Sequence, residues 1–576
     1  MGSPITVGGT PADRAHRFTI GSRATLLVCL FAALGMIGSA CGSGGGDDGD
    51  SGSGSLSDDD TATEDGAGTP EYGGEIAYGL EAESSGGWCL PEGQLAISGI
   101  QVARTMFDTL TAPNADGEIT PFLAESMTPN DDYTQWTFKL REGIKFHDGS
   151  DLTAEVVKNN LDAYRGTYPA RQPLLFRFVF EDIESVDVVD PMTVTVTTKV
   201  PWPAFPWTLY GSGRVGMIAQ AQLDDPETCD INPIGTGPFK FVSWNVNESL
   251  VTERNDDYWQ TDAEGNKLPY LDGVTYQPIT DESARVNALE SGAIQAMHTN
   301  DGFTIEQILA GADGGTLGAV QVDELSEVTN VMFNVTKPPF DNKLARQIVA
   351  TGLDVDGFIE ITGAGQFKAA SGPFAKGVIG YLEDAGFPSY DQEEAKKLAE
   401  QYESETGAPL SFVMQGGNND AVARQLQYIQ DQMKQIGVEV EIKLIEQAAL
   451  INEALGGNWE AMQFRNFPGA DPDTEYNWWY TNSPVNFGKF ADPEIDRMLD
   501  QGRQMPDGDE RTKLYEDLNR RFGSEVYYSW LNWSNWTIGT EPNLHGVLGP
   551  TLPDGTEPAP ALPMGHPVSG IWISQG

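Results

Sequence analysis

The chain has 576 residues, of which 39% are hydrophobic and 10% aromatic, so it can bury cores large enough for several domains. Its 85 acidic and 35 basic side chains give a formal net charge of −50. This charge excludes nucleic acid and anionic membrane surfaces as electrostatic partners and favours a well-solvated acidic surface.

Residues 1–40 have the pattern of a signal peptide. Arg14, Arg17 and Arg23 give a basic start, and residues 24–37 form an apolar run shorter than a membrane span. Small residues then precede Cys41, which resembles a bacterial lipoprotein cleavage box. We expect Cys41 to become the first mature residue and to carry the lipid. An ordinary secretory signal beside an unrelated cysteine is the alternative.

A flexible acidic linker is predicted at residues 41–70. The segment consists almost entirely of Gly, Ser, Asp, Thr and Ala and contains no Lys or Arg. Such a composition cannot bury a core, and its like charges repel one another. We interpret it as a tether between a lipid and a folded body.

The cysteines indicate one disulfide in the folded body. Cys29 leaves with the signal and Cys41 is the lipidation candidate, which leaves Cys89 and Cys229. A remaining pair in an exported protein is usually bonded. We predict a Cys89–Cys229 disulfide, with two buried thiols as the alternative.

The first half of the body shows strand and helix patterns in turn. A strand is predicted at residues 72–80 and a helix at 98–110. Apolar residues at 136, 138 and 140 alternate with polar ones, and the pattern restarts at 144–146, which predicts a β-hairpin. Thr153 is the expected N-cap of a helix that extends to residue 164. A second hairpin is predicted at 183–200, turning at Asp190.

The second half predicts a further α/β region. A strand at 331–335 is followed by one long helix at 346–361. Strand, helix, glycine and strand at 410–444 predict a βαβ unit with a parallel strand pair. Asp492-Pro493 supplies an N-cap and an N1 proline for a late helix. Other helices are expected at 393–405 and 510–522.

The stretch from residue 136 to 157 resembles the signature of solute-binding protein family 5, the extracytoplasmic receptors of peptide, nickel and related ABC importers. The family pattern is TFxLRxGxxFHDGxxLTAxDV, and this chain departs from it at Val156, where aspartate is usual. PIGTGPFKF at 233–241, RNDDYW at 254–259 and RVNALESGAIQA at 285–296 resemble further family motifs. Together they cover roughly residues 72–545.

The resemblance implies an α/β, periplasmic-binding-protein-like fold of the large three-lobed type, with two α/β lobes around a ligand cleft and an inserted subdomain. Lobe I is expected from residues 71–112, 226–326 and 527–576, and lobe II from 327–526. The inserted subdomain of lobe I is expected at 113–225. The aromatic run at 526–538 is where the chain should cross back from lobe II to lobe I.

The sequence contains no motif with catalytic or metal-binding spacing: H-E-x-x-H, C-x-x-C, G-x-S-x-G and the P-loop are all missing. We interpret His147 as a structural hydrogen-bonding residue and expect neither a metal nor a cofactor. Aromatic side chains suit a cleft that closes on a polar organic ligand. By resemblance, the predicted ligand-binding residues are Trp88, Cys89, Asn334, Phe467, Asp471, Trp530 and Trp533.

The implied function is that of a lipid-anchored substrate-binding protein, a monomer that captures a peptide or similar small polar solute and delivers it to an ABC permease. Nickel chelates, opines and oligosaccharides also occur as ligands on this fold. Peptide receptors of the family pair the ligand amine with an aspartate just before a DPD-like turn, and here that aspartate is missing or merged with Asp471. The alternatives are a secreted hydrolase that uses Asp471 and Asp473, and a binding or sensor protein not coupled to a transporter.

Overall fold

A computed structural model of the chain describes residues 68–574, except 85, 94, 174–175, 323–325, 468 and 561 and the side chains of 447–448. The predicted signal peptide, Cys41 and nearly all of the predicted linker lie outside the described residues. Within the described part, every helix is too short or too polar to span a bilayer.

The strands of the described residues are distributed along the whole chain. In chain order they are β1 (Glu75–Leu80), β2 (Thr111–Pro113), β3 (Ile119–Pro121), β4 (Ala124–Pro129), β5 (Gln135–Leu140), β6 (Ile183–Asp190), β7 (Thr193–Thr198), β8 (Phe239–Asn245), β9 (Ser249–Arg254), β10 (Gly273–Pro278), β11 (Ala296–Thr299), β12 (Gly318–Gln321), β13 (Glu327–Phe333), β14 (Lys368–Ala369), β15 (Ser411–Gly417), β16 (Glu439–Ile445), β17 (Ala461–Asn466), β18 (Tyr528–Ser534), β19 (Thr537–Thr540), β20 (Leu544–His545) and β21 (Trp572–Ile573).

The helices are distributed among these strands. In chain order they are α1 (Ile97–Met106), α2 (Ala154–Tyr164), α3 (Phe176–Val179), α4 (Phe205–Tyr210), α5 (Gln220–Asp224), α6 (Glu282–Glu290), α7 (Gly302–Asp313), α8 (Lys343–Gly352), α9 (Val355–Gly363), α10 (Gln392–Thr406), α11 (Asp420–Gln435), α12 (Gln447–Gly456), α13 (Tyr476–Trp479), α14 (Pro493–Gln504) and α15 (Asp509–Glu525).

Three larger sheets organise the fold. The lobe I sheet has the order β12-β19-β11-β1-β10-β9-β8, with β1 parallel to β10 and β11. The lobe II sheet has the order β14-β18-β13-β17-β15-β16, with β15 parallel to β16 and β17. The subdomain sheet, β4-β5-β7-β6, is antiparallel. Except for β18, which lies in the lobe II sheet although residues 527–576 were assigned to lobe I, the strands of these sheets come from the predicted segments. The boundaries of the segments stay a prediction.

The chain crosses between the two parallel-containing sheets twice. It leaves the lobe I sheet after β12 and enters the lobe II sheet at β13, and it returns between β18 and β19. The predicted crossing within residues 526–538 is therefore confirmed. The lobe I sheet packs on an apolar cluster that contains Tyr78 and Tyr276. The lobe II sheet packs on two other clusters, one with Val331 and Phe412 and one with Met332. Separate cores allow the two sheets to behave as separate bodies.

Local signals predicted several elements well. Thr153 caps α2 by accepting a hydrogen bond from the Val156 backbone N–H, and Asp492 caps α14 in the same way with Pro493 at its first turn. The predicted hairpin that turns at Asp190 is the β6–β7 pair. The βαβ unit is also confirmed, since β15 and β16 pair in parallel.

The hairpin predicted at residues 136–146 is wrong. β5 pairs with the preceding strand β4 on one side and with the distant strand β7 on the other, so neither edge is open to residues 144–146. The restarted pattern forms an isolated bridge between Lys145 and Asp151 instead. The alternation of apolar and polar residues shows which face of a strand is buried, but it does not show which strand pairs with it. The prediction therefore paired β5 with the wrong segment.

The single helix predicted at residues 346–361 is also wrong. Two helices, α8 and α9, are separated at Leu353 and Asp354. The Asp354 carboxylate accepts a hydrogen bond from the Gly357 backbone N–H at 3.0 Å, so it starts a new helix rather than continuing the first. Apolar periodicity runs through the break and hides it.

The structure joins Cys89 to Cys229 by a disulfide, and the two cysteines are 140 positions apart in sequence. Both cysteines are buried. The bond ties the loop after β1 to the segment that precedes β8.

Replacing both Cys89 and Cys229 by serine should lower the free energy of unfolding by roughly 2–5 kcal/mol, because the unfolded chain gains freedom when a long loop is no longer closed. Denaturant unfolding of the oxidised wild type and the double variant, side by side, measures this difference. Equal stability of the two proteins, or two free thiols in the unfolded but unreduced wild type, would contradict the bond.

Candidate ligand cleft

The carboxyl ends of the parallel strands in the two large sheets face each other. Open α/β sheets bind ligands beyond the carboxyl ends of their strands. Glu81 lies just after β1, and Arg465 lies near the end of β17; their side chains meet at 3.1 Å. Asp301, just after β11, pairs with Arg424 of α11. We take the gap between these strand ends as the candidate cleft.

Arg465 is the centre of the contacts across the cleft. Its guanidinium lies 3.1 Å from the Glu81 carboxylate and 3.7 Å from that of Glu327, with its Cζ 5.3 Å from the Trp536 ring centroid. Trp536 also donates its indole N–H to Glu327 at 3.0 Å. Burial lowers the pKa of Arg465, but the two carboxylates outweigh burial and raise that pKa above its usual value. The arginine therefore stays charged between two acids.

Glu81 is held from the lobe I side as well. Its backbone N–H donates to the His298 Nε2 atom at 3.2 Å, and that same nitrogen lies 3.1 Å from the Ser98 hydroxyl. Burial lowers the pKa of His298 to about 3. The imidazole is therefore neutral at physiological pH and can accept these hydrogen bonds.

A second group of contacts joins the subdomain to lobe II. The Asp473 carboxylate accepts a hydrogen bond from the Trp202 indole N–H at 2.7 Å and pairs with Arg503 at 2.9 Å. Arg503 also pairs with Asp182 of the subdomain at 3.0 Å. Its guanidinium lies between two rings, with its Cζ 4.3 Å from the Trp202 centroid and 3.6 Å from that of Tyr476.

Asp471 makes a buried, bidentate pair with Arg511. The two N···O distances are 2.6 and 2.8 Å, and the Asp473 backbone N–H donates to the same carboxylate at 2.8 Å. Asp471 and Asp473, the two acids of the Asp471-Pro472-Asp473 sequence, therefore already have arginine partners. This arrangement leaves neither carboxylate free to act as an acid or base, which removes the basis for the hydrolase alternative.

One pocket of lobe I is lined by a predicted site residue, Trp88. The pocket also includes Ser84, Ser98 and Tyr276. Trp88 packs edge to face on Trp244 with centroids 5.6 Å apart. The indole nitrogens of both tryptophans and the Ser84 hydroxyl are buried without a hydrogen-bond partner among the described residues.

A second pocket lies in lobe II and is lined by Trp530. Its aromatic walls include Trp478, Phe487 and Tyr528. The Trp530 indole N–H and the Asn330 side-chain oxygen are buried without a partner among the described residues. Because these two residues are opposite each other on β18 and β13, the pocket presents a donor and an acceptor side by side.

The structure does not bring the other predicted site residues into one place. Cys89 is in the disulfide, and the Asn334 amide donates to the Gly457 and Trp459 carbonyl oxygens, so both hold loops. Phe467 packs beside Tyr210 of the subdomain. Trp533 is buried in the lobe II core.

Within the described residues, one group could offer metal ligands close together: Cys89, Glu92 and Asp230. The Cys89 sulfur is part of the disulfide and is therefore not a free thiolate. His147 is engaged with the backbone, since its ring lies 3.0 Å from the Gly237 carbonyl oxygen and 3.4 Å from the Gly235 nitrogen.

Sequence reasoning missed the charged residues that meet across the cleft, Glu81, Glu327 and Arg465, which come from widely separated segments. It also missed the buried Glu475. One signal was available, because Arg465 is a charged residue inside the otherwise apolar strand AMQFRN. The sequence contains no comparable signal for Glu475. In the structure, burial raises the pKa of Glu475 to about 8, and its Oε1 atom has no partner among the described residues.

The fold belongs to the periplasmic-binding-protein class. The agropinic acid-bound binding protein AgaA from A. tumefaciens R10 superposes with a TM-score of 0.76 at 25% identity, covering 87% of this chain and 99% of that one. The nonapeptide-bound AppA from Bacillus subtilis gives 0.75 at 22% identity, covering 88% and 100%.

The family follows from the sequence match. The profile described as "Bacterial extracellular solute-binding proteins, family 5 Middle" matches residues 118–487, more than half of the chain. A similar relative is the glutathione-binding protein GsiB of Pectobacterium atrosepticum, 27% identical over 79% of this chain and 87% of its own length. This chain therefore belongs to solute-binding protein family 5. It is an extracytoplasmic substrate-binding protein of the ABC importer type, and its relatives are not enzymes.

Changing Asp471 to asparagine should lower the free energy of unfolding by about 3 kcal/mol, because Arg511 would lose its buried charged partner. Asp507 gives a matched control, since it pairs with the same arginine at 2.6 Å but is 77% exposed. Asp507→Asn should cost less than about 1 kcal/mol. Urea unfolding of both variants measures their free energies of unfolding. If the two variants lose the same amount, the buried Asp471–Arg511 pair does not stabilise the fold as described.

The stability of the protein should fall as the pH rises from 7 to 9, in part through Glu475. Burial raises the pKa of Glu475 from 4.5 to about 8, so the folded state holds a proton that the unfolded chain has already released at pH 7. That contribution is fully present below about pH 4.5 and is lost as the pH passes 8. The loss between pH 7 and 9 amounts to about 1 kcal/mol.

Urea unfolding at the two pH values measures this loss. The Glu475→Gln variant should lack it, whereas the control Glu403→Gln, at an exposed position on α10, should keep it. A Glu475→Gln variant with the full wild-type loss would show that another group titrates.

Proposed function

We propose that this chain is a lipid-anchored receptor that captures a peptide or similar small polar solute outside the cell and passes it to an ABC permease. A lipid on Cys41 followed by the acidic linker would hold the two lobes near the membrane while leaving them free to move. The solute would enter between the carboxyl ends of the two large sheets.

One observation carries the proposal: the pockets of the two lobes are lined by buried polar atoms that no described residue satisfies. Trp88 in the lobe I pocket and Asn330 and Trp530 in the lobe II pocket each contribute one such atom. Native proteins pair the great majority of their buried polar groups, and an unpaired one costs roughly 1–3 kcal/mol. A solute with hydrogen-bonding groups would satisfy them, and so the cleft is suited to a polar ligand.

A peptide-like solute suits the lobe II pocket in particular. A peptide or amide group offers one N–H donor and one carbonyl acceptor, which complements the Asn330 oxygen and the Trp530 indole N–H. The aromatic walls would cover the apolar parts of the same solute. The glutathione and peptide ligands named for the relatives support this class. We propose Trp88, Phe467 and Trp530 as solute contacts.

Closing of the two lobes would couple binding to transport. The contacts across the cleft described above are mainly ion pairs and hydrogen bonds, such as Arg465 with Glu81 and Trp202 with Asp473. Such contacts can be replaced by water when the lobes separate, unlike an apolar interface of the same size. A solute between the lobes would shift the equilibrium towards the closed form.

The mature protein should retain a solute from a mixture of peptides. Native mass spectrometry of protein exposed to a peptone, followed by calorimetry with the solute identified, tests this. We expect one-to-one binding, with the Trp530→Ala variant weakened by about tenfold or more through the loss of aromatic contact area. Val189→Ala, on the exposed tip of β6, is the control and should bind normally. No retained solute from peptides, opines or nickel chelates would contradict the receptor role.

The Cys41→Ala variant should lose membrane association. In cell fractionation, the wild type should be found with membranes and release a lipid-modified N-terminal peptide on digestion, because acyl chains anchor the protein. The variant should lack the modification. A wild type whose N-terminal peptide carries no lipid would contradict the anchor and favour an ordinary secretory signal.

A further inference from the structure

A buried arginine contacts the disulfide. Arg171, in the loop that follows α2, donates a hydrogen bond from its Nη1 atom to the Cys89 sulfur at 2.8 Å. Its side chain is 1% exposed, and its Nε and Nη2 atoms are buried without a hydrogen-bond partner among the described residues. The charge of Arg171 is therefore directed at a sulfur that is uncharged while the disulfide is intact.

Little negative charge compensates Arg171. The Glu92 carboxylate lies 3.7 Å from its Nη1 atom, but that carboxylate also accepts the Gln172 backbone N–H at 2.7 Å and is 27% exposed. Within the part of the chain that the structure describes, no other ion pair involves Arg171. A buried guanidinium in this position is unfavourable, because burial removes water from the charge without supplying a close anion.

Reduction of the disulfide would supply such an anion. Breaking the S–S bond leaves one thiol on each cysteine, and a thiol beside an arginine loses its proton more readily than an ordinary thiol. A Cys89 thiolate would form a buried ion pair with Arg171 that the disulfide cannot form. A disulfide is easier to reduce when its reduced form is stabilised in this way.

Two carboxylates oppose a thiolate at this position. One oxygen of Glu92 and one of Asp230 lie within 4.8 Å of the Cys89 sulfur. Asp230 is exposed and Glu92 is partly exposed, and water screens charges at the surface more strongly than charges in the interior. Because Arg171 is buried and its Nη1 atom touches the sulfur, its attraction should outweigh their repulsion.

The surroundings of the two sulfurs indicate which one is attacked. Both cysteines are buried, but Cys229 is followed directly by the exposed residues 230–232. Local opening of these residues would expose the Cys229 sulfur and leave Cys89 beside Arg171. An attacking thiolate would then bond to Cys229, and the Cys89 sulfur would leave with the electron pair of the broken bond.

We propose that the Cys89–Cys229 disulfide is a redox-active site that exchanges with dithiols, and that Cys89 leaves as a thiolate paired with Arg171. The first thiolate of the dithiol forms a mixed disulfide with Cys229. The second thiol loses its proton and attacks the dithiol sulfur of that mixed disulfide, which releases Cys229. The dithiol becomes a disulfide and gives up two electrons and two protons, of which one proton goes to Cys229 and the other to solvent.

The redox state of this site would also affect the lobe I pocket. Trp88, next to Cys89, lines that pocket, and its backbone N–H donates to the Asp230 carbonyl oxygen at 2.9 Å. Reduction would leave only non-covalent contacts between these two loops. Amide hydrogen exchange at residues 86–92 should therefore be faster in the reduced protein, and equal exchange in the two redox states would overturn this link to the pocket.

The main test equilibrates the mature protein with mixtures of reduced and oxidised dithiothreitol. Free thiols are blocked with iodoacetamide, and peptide mass spectrometry measures the reduced fraction of Cys89 and Cys229. Arg171→Gln should need about tenfold more reduced dithiothreitol for half reduction than the wild type, because the thiolate loses its ion pair. Glu92→Gln should need less than the wild type, because an opposing charge is removed.

A control and a second measurement separate the charge effect from a loss of packing. Arg177→Gln removes the same charge from an exposed position on α3 and should be reduced as the wild type is. In the reduced wild type, Cys89 should react with iodoacetamide at a lower pH than Cys229, and Arg171→Gln should remove this difference. Thermal unfolding of each oxidised variant verifies that it is folded.

Half reduction of the wild type and of folded Arg171→Gln at the same dithiothreitol ratio would overturn the redox-active site. A shift in the same direction for Arg171→Gln and Glu92→Gln would also overturn it, because the two substitutions remove opposite charges. Reaction of Cys229 at a lower pH than Cys89 would overturn the assignment of the leaving sulfur. The receptor role is tested separately by solute retention and does not depend on these results.

Discussion

The described structure depends on how a few buried charges are shared between two sheets that have separate cores. Arg465 extends from lobe II to the Glu81 carboxylate of lobe I at 3.1 Å and also lies near Glu327, where the chain enters lobe II. Buried ion pairs contribute little net stability compared with apolar packing, because desolvating the charges offsets much of their attraction. They do impose geometry, since any misplacement leaves a charge unpaired. The cleft contacts are therefore better suited to defining one closed arrangement than to holding it permanently.

This arrangement agrees with the chain path. The chain passes from one sheet to the other between β12 and β13 and between β18 and β19, and Glu327 of this charge cluster is the first residue of β13. Farther from them, the Trp202, Asp473 and Arg503 contacts join the subdomain to lobe II. A rigid-body movement about the crossings would separate both groups of contacts together, and the unpaired polar atoms of the two pockets would then face water. Family 5 membership and the cleft geometry thus lead to the same account of capture by closure.

Elements that depend on local chemistry could be predicted from the sequence. Thr153 and Asp492 cap helices where expected, because an N-cap needs only its own backbone and the next turn. The failed hairpin at residues 136–146 shows the limit: β5 is bracketed by β4 and β7, and no local pattern distinguishes those partners from the nearer residues 144–146. The break at Asp354 was missed because apolar periodicity continued across it.

The site was harder to predict than the fold, because contacts between distant segments, like the pairing of distant strands, leave no local pattern in the sequence. Trp88 and Trp530 were predicted from their residue type and family resemblance, and they line pockets in different lobes. Asp471 has the expected chemistry but a different partner, because Arg511 is brought to it from 40 residues farther along the chain. Arg465 is a charged residue in an otherwise apolar strand, but its partners Glu81 and Glu327 come from distant segments that only the packed structure brings to it.

Small-angle X-ray scattering tests the central claim most directly. The mature protein would be measured after its solute has been removed by unfolding and refolding, and again after the identified solute has been added back. Closure about the cleft predicts a smaller radius of gyration with solute and a scattering curve that matches the described arrangement of residues 68–574. Identical curves in the two states, with binding verified by calorimetry, would contradict capture by closure of the two lobes.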